Sequence, residues 1–127
     1  MMLRTKEDAK KEFQEKSLIL ESKYKLAIKY FKLLTVLHPS ASFGFYNMGN
    51  TYLELEDFEN AKTFFIKTLE MEPEHEMALA NLGETYRKLG KIEKSLSCHN
   101  KAIKINPEND EISNYFDEDK LEGLELF

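Results

Sequence analysis

The feature that most constrains the fold is a recurrence at an interval of 34 residues. Pro39, Pro73 and Pro107, the only prolines in the chain, are 34 residues apart in both intervals. A fixed period of about 20–50 residues is typical of solenoids, in which similar supersecondary units stack side by side. The same interval relates the small residues Ala27, Ala61 and Ser95, the apolar residues Tyr24, Phe58 and Ile92, and the pairs Phe31 and Phe65, Phe45 and Leu79, Met48 and Leu82, Gly49 and Gly83, and Tyr52 and Tyr86.

Apolar residues within each unit recur at intervals of three and four, the spacing of one face of an α-helix. Gly90 is placed to end the first helix of the third unit. Each proline is placed to end a unit, because proline lacks the amide proton and restrains the residue before it. Each unit is therefore predicted to be a pair of antiparallel helices. The predicted faces are Phe45, Met48, Tyr52 and Leu55; Phe58, Ala61, Phe65 and Leu69; Leu79, Leu82, Tyr86 and Leu89; and Ile92, Leu96 and Ile103.

Composition agrees with packed helices. Apolar residues make up 42 % of the chain and charged residues 32 %, with only 5 glycines, which argues against both a disordered chain and a turn-rich sheet protein. At 127 residues we expect one domain. No apolar run has the length of about 18 residues that a membrane span needs, and the charged start lacks the apolar stretch of a signal peptide. Cys98 is the only cysteine, which favours a reducing compartment and predicts a cytoplasmic location.

The charge of the chain changes sign along its length. Residues 1–41 contain 9 Lys/Arg and 5 Asp/Glu, residues 42–107 contain 8 and 10, and residues 108–127 contain 1 and 8. Since an overall charge of −5 repels phosphates, a nucleic-acid partner is not expected. The acidic segment could approach the basic N-terminal segment, or it could be a solvated end of the chain.

Two segments resemble the tetratricopeptide repeat (TPR), whose pattern is W-x2-L-G-x2-Y…A…F…P. The first is Phe45-Tyr46-Asn47-Met48-Gly49-Asn50-Thr51-Tyr52, followed by Ala61, Phe65 and Pro73, and the second is Leu79-Ala80-Asn81-Leu82-Gly83-Glu84-Thr85-Tyr86, followed by Ser95, Ala102 and Pro107. This resemblance implies an all-α, right-handed superhelix of helix hairpins. Gly49 and Gly83 would let the two helices of a hairpin approach closely, and Ala61 and Ser95 would lie where a neighbouring helix crosses.

The single TPR domain over 1–127 is divided into repeats at about 8–41, 42–75 and 76–109, and a C-terminal segment at 110–127. The first repeat is degenerate, because Glu15 occupies the position of the repeat glycine. A capping hairpin is the favoured interpretation of 8–41. One long helix over 5–38 is the alternative, since no Gly or Pro interrupts that range. Residues 110–126 retain helical spacing and are predicted to form a capping helix over the last hairpin.

The sequence contains no recognisable catalytic or cofactor-binding motif. His38, His75 and His99 lack zinc-site spacing, and neither a phosphate-binding loop nor a nucleophile motif is present. His38 and His75 are expected in solvent at hairpin ends. His99 is expected to pack as Phe65 does. We therefore predict no enzyme activity, no metal and no cofactor.

The resemblance implies that the first helix of each hairpin lines a concave groove for a peptide or helix of a partner protein. Asparagine is a mediocre helix former, and its amide suits a peptide backbone or a terminal carboxylate. Asn47, Asn50 and Asn81 therefore stand out, although asparagine is also simply frequent at these positions in TPR sequences. The predicted groove residues are Phe43, Tyr46, Asn47, Asn50, Leu53, Glu54, Met77, Ala80, Asn81, Glu84, Arg87 and Lys88.

Two functions follow from these patterns. The first is an adaptor or scaffold that binds a partner protein in its groove. The second is self-association, in which the acidic, aromatic C-terminal tail enters its own or a neighbour's groove. TPR co-chaperones that hold a chaperone's C-terminal carboxylate use a clamp of Lys, Asn and Arg side chains. Asn47 fits one position of that clamp, but Glu12, Lys16, Met77 and Asn81 occupy the others, so a carboxylate clamp is not expected.

Overall fold

The computed structural model describes residues 5–108. This part of the chain consists of five helices without a strand: α1 (Lys6–Leu37), α2 (Phe43–Glu54), α3 (Phe58–Met71), α4 (Glu76–Lys88) and α5 (Ile92–Ile105). Helices α2 and α3 pack as one pair and α4 and α5 as a second, with α3 against α4 and α1 against α2. The predicted all-α class and the two helix pairs are confirmed. The predicted C-terminal capping helix at 110–127 lies outside the described residues.

The predicted hairpin over 8–41 is wrong, because α1 is a single helix of 32 residues. It begins at a capping box in which Thr5 and Asp8 exchange hydrogen bonds, with the Thr5 hydroxyl accepting from the Asp8 amide at 3.1 Å. No glycine or proline follows before Pro39, so the backbone hydrogen bonding continues for the full length. The alternative of one long helix is the arrangement that the structure has.

Only the C-terminal half of α1 packs against the rest of the described chain. Ile28 is buried, and Gly44 of α2 lies so close that a Cβ there would meet the Thr35 methyl group at 2.7 Å and the Phe31 carbonyl oxygen at 3.3 Å. Residues 5–20 are exposed except for Glu12, which is partly buried. Helix α1 therefore takes the position of the second helix of a hairpin whose first helix is not formed.

The two hairpins repeat one internal contact, as predicted. A Cβ on Gly49 would meet the Phe65 ring at 2.6 Å, and a Cβ on Gly83 would meet the His99 ring at 2.6 Å. Phe65 is fully buried and His99 is 2 % exposed, so the prediction that His99 packs as Phe65 does is confirmed. Ala61 is also fully buried, as a small residue at a helix crossing should be.

Equivalent residues also close each hairpin. The Ser42 hydroxyl donates to the Glu72 carboxylate at 2.7 Å, and 34 residues later the Asn106 amide donates to the Glu76 carboxylate at 3.5 Å. Both bonds join the start of a first helix to the end of its second helix. Helices α1, α3 and α5 end two residues before Pro39, Pro73 and Pro107, which confirms the proline prediction.

The turns inside the hairpins are equivalent as well. Gly90 follows α4 with φ +76°, and Glu56, at the same position in the preceding repeat, has φ +59°. The prediction that Gly90 ends the helix is confirmed, since glycine adopts this left-handed conformation without steric cost.

Candidate functional site

Helices α2 and α4 are the first helices of the two hairpins, and their side chains meet across the stack. The Asn81 amide nitrogen donates to the Asn50 carbonyl oxygen at 2.7 Å and to the Tyr46 hydroxyl at 3.3 Å. All three side chains are partly buried. Tyr46 and Asn50 are four residues apart on α2, so they lie on one face of that helix. We call the surface around these three residues the inner face.

The hydrogen bonds within this cluster leave specific polar groups for a ligand. The two bonds use both N–H donors of Asn81 and the carbonyl oxygen of Asn50. Within the described part of the chain, the side-chain NH2 group of Asn50 and the side-chain carbonyl oxygen of Asn81 therefore remain for other partners, while the backbone oxygen of Asn81 accepts from the Thr85 hydroxyl. One donor group and one acceptor side by side match the alternating polar groups of an extended peptide backbone.

Tyr46 is held by aromatic contacts on two sides. Its ring centroid lies 4.6 Å from that of His75 and 6.1 Å from that of Phe65. His75 is itself fixed, because its Nδ1 accepts a hydrogen bond from the Ala78 amide at 3.1 Å and thereby caps α4. This bond places the proton of the neutral imidazole on Nε2, which lies 4.0 Å from the Glu72 carboxylate.

The expectation that His75 is exposed to solvent is therefore wrong. Its side chain is only 22 % exposed, and it supports the Tyr46 ring of the inner face. Sequence reasoning missed this role, although His75 directly precedes a predicted helix, where a side-chain acceptor commonly caps the first turn. His38 is exposed as expected, and its ring lies 5.9 Å from that of Phe43.

A charged pair lies further along α4. Arg87 donates two hydrogen bonds to the Glu84 carboxylate, from Nε at 2.9 Å and from Nη2 at 2.6 Å. These bonds lower the pKa of Glu84, although burial acts in the opposite direction. The Arg87 side chain is 49 % exposed, and its charge is balanced by that of the Glu84 carboxylate.

The remaining predicted groove residues differ in accessibility. Asn47 and Met77 are partly buried, and Leu53 packs against the core formed with Ala61 and Phe65. Phe43, Glu54 and Lys88 are exposed, with Phe43 at the start of α2 and the other two at the ends of their helices.

Ala80 does not belong to the accessible surface. It is 5 % exposed and packs with Leu79 and Ala102, so its assignment to the groove is wrong. A methyl side chain on the buried flank of α4 fills the interior and has no surface to offer a ligand.

The carboxylate-clamp pattern lacks the helix that would present its first-hairpin residues beside α2. Glu12 and Lys16 occupy the first-hairpin positions of that pattern, but both lie on the N-terminal half of α1 and pair with each other at 3.0 Å. Because α1 is continuous, no first helix stands beside α2 to present them.

Two further properties concern residues 5–108. No helix there combines the length and apolar character needed to cross a membrane. No group of three or more His, Cys, Asp and Glu side chains in this range is placed to hold a metal ion.

Comparison with solved structures finds the same architecture in other proteins. YrrB, described as a TPR protein with an unusual peptide-binding site, superposes with a TM-score of 0.69 at 25 % identity, over 78 % of this chain and 51 % of YrrB. The first TPR of Spaghetti (RPAP3), solved with the HSP90 peptide SRMEEVD, gives 0.70 at 21 % identity, over 86 % of this chain and 82 % of that one. MamA gives 0.63 at 20 % identity, over 75 % and 65 %.

The chain thus spans about half the length of YrrB. A search of the curated proteins found no match. Models of the tetratricopeptide repeat match residues 44–75 and residues 77–109, which together make up about half of the chain. These matches agree with the 34-residue period and with the glycine–ring contact in both hairpins. The chain therefore belongs to the tetratricopeptide-repeat family.

Proposed function

We propose that this chain is a protein-interaction module that binds an extended segment of a partner protein on its inner face. The observation that supports this most directly is the cluster of Tyr46, Asn50 and Asn81, which joins α2 to α4 and leaves an amide donor and a carbonyl acceptor at the junction. The peptide-binding descriptions of YrrB and of the RPAP3 repeat point to the same use of the fold.

The surroundings of the cluster indicate the kind of segment that would fit. Phe43 is exposed and Met77 partly buried at the same end of α2 and α4, where apolar anchors of a ligand would pack. Lys88 is exposed at the other end of α4, seven residues after Asn81 and so on the same face, and its charge favours an acidic group there. The proposed ligand is therefore a segment with an apolar anchor and a nearby carboxylate. It would be held in a different way from the ligands of the carboxylate clamp.

We further propose that the chain acts in binding rather than in catalysis and that it is located in the cytoplasm, as the sequence predicts. The cytoplasmic location is supported by Cys98, the only cysteine, which is a free and buried thiol.

The test is to select ligands from a phage-displayed random peptide library against the full-length protein and to measure their affinity for variants. Asn50→Ala/Asn81→Ala removes both partners of the amide pair together, so neither amide is left facing a missing partner. We expect about tenfold or greater weakening, since two lost hydrogen bonds are worth about 1–3 kcal/mol.

The matched control is Glu70→Ala/Lys101→Ala, which changes two exposed residues on the second helices α3 and α5. This variant should bind like the wild type. Equal affinity of the Asn50/Asn81 variant and the wild type, at unchanged helix content, would place the binding surface elsewhere.

A further inference from the structure

The N-terminal helix exposes most of the apolar surface in the described part of the chain. Nine of the eleven large apolar side chains that are exposed in residues 5–108 belong to α1. Five of them, spaced at seven, four, three and four residues, form one line along the helix: Ile19, Leu26, Tyr30, Leu33 and Leu37. Each is between 54 % and 69 % exposed. We call this line the outer stripe.

The outer stripe faces away from the rest of the fold. At about 100° per residue, its members lie within about 60° of one another around α1. The residues that contact α2, among them Ile28 and Thr35, lie on the opposite side. A contiguous apolar line of this kind on a helix surface is typical of a docking site for another segment.

Lysines border the outer stripe on both sides. Residues 22–37 contain four lysines and no acidic residue. By helical geometry, Lys23 lies on one flank and Lys29 on the other. Lys25 is paired with Glu21 at 3.0 Å, so the positive charge at the stripe comes chiefly from Lys23 and Lys29. Two such stripes would bring lysines together, which disfavours the pairing of α1 with α1.

The chain itself contains a segment with the complementary pattern. Residues 110–119 read DEISNYFDED, in which Ile112, Tyr115 and Phe116 recur at three and four. Acidic residues precede and follow these three apolar residues, and the segment has five acidic residues and no basic one. Apolar side chains between negative charges fit an apolar line between positive charges.

We propose that residues 110–119 of one molecule dock on the outer stripe of a second copy, so that the protein associates head to tail. Helix α1 packs on α2 at one end of the stack and α5 packs on α4 at the other. The segment that follows α5 therefore begins at the end of the molecule opposite the outer stripe, which favours docking on a second copy.

Head-to-tail contact joins two different surfaces and therefore allows chains of molecules to grow. Sedimentation of the full-length protein at low ionic strength should give a mass that rises above 14.9 kDa with concentration. The mass should return toward 14.9 kDa at about 0.5 M salt, where exposed charges are screened. A constant monomer mass at low salt would overturn the proposal.

Two charge-reversal variants separate the possible interfaces. Lys23→Glu/Lys29→Glu changes the stripe, and Asp117→Lys/Glu118→Lys/Asp119→Lys changes the segment. Each variant alone should remain at 14.9 kDa, with the helix content and melting temperature of the wild type. Their mixture should associate again, because an unaltered segment then meets an unaltered stripe and the reversed charges of the altered segment and the altered stripe also attract each other.

The alternatives give different results. Self-association of the segment variant alone would show that α1 pairs with α1 and would overturn the proposal, as would a mixture that stays monomeric. The variant Asn50→Ala/Asn81→Ala should associate like the wild type. If this variant failed to associate, the segment would enter the inner face instead of the stripe, and the proposal would be contradicted. The readout here is the mass of the assembly, so this outcome is distinct from a loss of peptide affinity.

Discussion

Phe65 and His99 make the same contact with a repeat glycine, but only one of them can ionise. Both rings are buried against the opposing helix, at 0 % and 2 % exposed. Burial lowers the pKa of His99, the Glu84 carboxylate raises it in part, and the Arg87 charge lowers it again. The folded protein therefore favours the neutral imidazole, while the unfolded chain protonates it at the ordinary value of about 6.5.

This difference predicts a pH dependence of stability. Above about pH 6.5 both states hold His99 neutral, and its contribution to the free energy of unfolding is fully present. As the pH falls below that value, the unfolded state takes up a proton that the folded state resists. The free energy of unfolding should then decrease, by at most about 1.4 kcal/mol per pH unit from this group. Urea unfolding between pH 7.5 and about 5 measures the slope.

Exchanging the two rings isolates the contribution of His99. His99→Phe copies the contact of the second unit into the third and should reduce the slope. Phe65→His places an imidazole in the buried position of the second unit and should increase it. An identical pH profile for the wild type and His99→Phe would refute the assignment, whatever the other titrating groups contribute.

The inner face shows how far residue types and spacing predict a site. The resemblance to the TPR placed Tyr46, Asn50 and Asn81 on the first helices that line the groove, and the structure brings all three into hydrogen-bonding distance. It could not separate Ala80, which is buried, from Asn81 beside it, because accessibility depends on the neighbouring helix. The support of the Tyr46 ring by His75 depends on the path of the loop after Pro73, for which a periodic pattern has no signal.

The turn between α2 and α3 has a backbone strain that the equivalent turn between α4 and α5 avoids. Glu56 has φ +59°, and Gly90 has φ +76° at the equivalent position. A side chain in this left-handed region costs about 1–2 kcal/mol, whereas glycine has no Cβ to clash. Natural variation within one chain thus provides a comparison of the two residue types in the same turn.

Glu56→Gly is expected to stabilise the protein by about 0.5–1 kcal/mol. The relief of strain exceeds the larger conformational freedom that glycine gains in the unfolded chain. Equilibrium unfolding in urea measures the change. The reverse substitution, Gly90→Glu, should destabilise by a similar amount, since a Cβ at Gly90 would meet no atom within 4 Å beyond the adjacent residues and only the backbone conformation opposes it. A loss of stability in Glu56→Gly would contradict this account of the turn.

Helix α1 shows why the first unit was predicted incorrectly. The second half of the repeat pattern is present there, with Tyr24, Ala27, Phe31 and Pro39, and it packs as predicted from those residues. A hairpin also needs an interruption near residues 21–23, and the sequence there is Glu-Ser-Lys, which a helix accommodates readily. Without a Gly or Pro to end the first helix, local hydrogen bonding continues and the hairpin is lost.

Each helix of the stack stabilises mainly its immediate neighbours. Helix α1 packs on α2, α3 on both α2 and α4, and α5 on α4. In such a linear stack, stability is a sum of local contributions and contacts between neighbours. A change in the central hairpin should therefore affect the whole stack, while a change at its edge should affect one helix.

Ala61→Arg and Ile28→Ala test this difference. Ala61 is fully buried in α3, between α2 and α4, so a long charged side chain there should cost more than about 3 kcal/mol and unfold every helix at a lower temperature. Ile28 is the buried residue of α1, so its truncation should loosen α1 alone. Hydrogen exchange followed by mass spectrometry should show faster exchange throughout residues 24–105 in the first variant. In the second, faster exchange should be confined to residues 24–37.

If Ile28→Ala accelerated exchange in α5 as strongly as in α1, the molecule would unfold as one cooperative unit instead of a stack of neighbours. An unchanged melting temperature for Ala61→Arg would contradict the placement of Ala61 at the helix crossing.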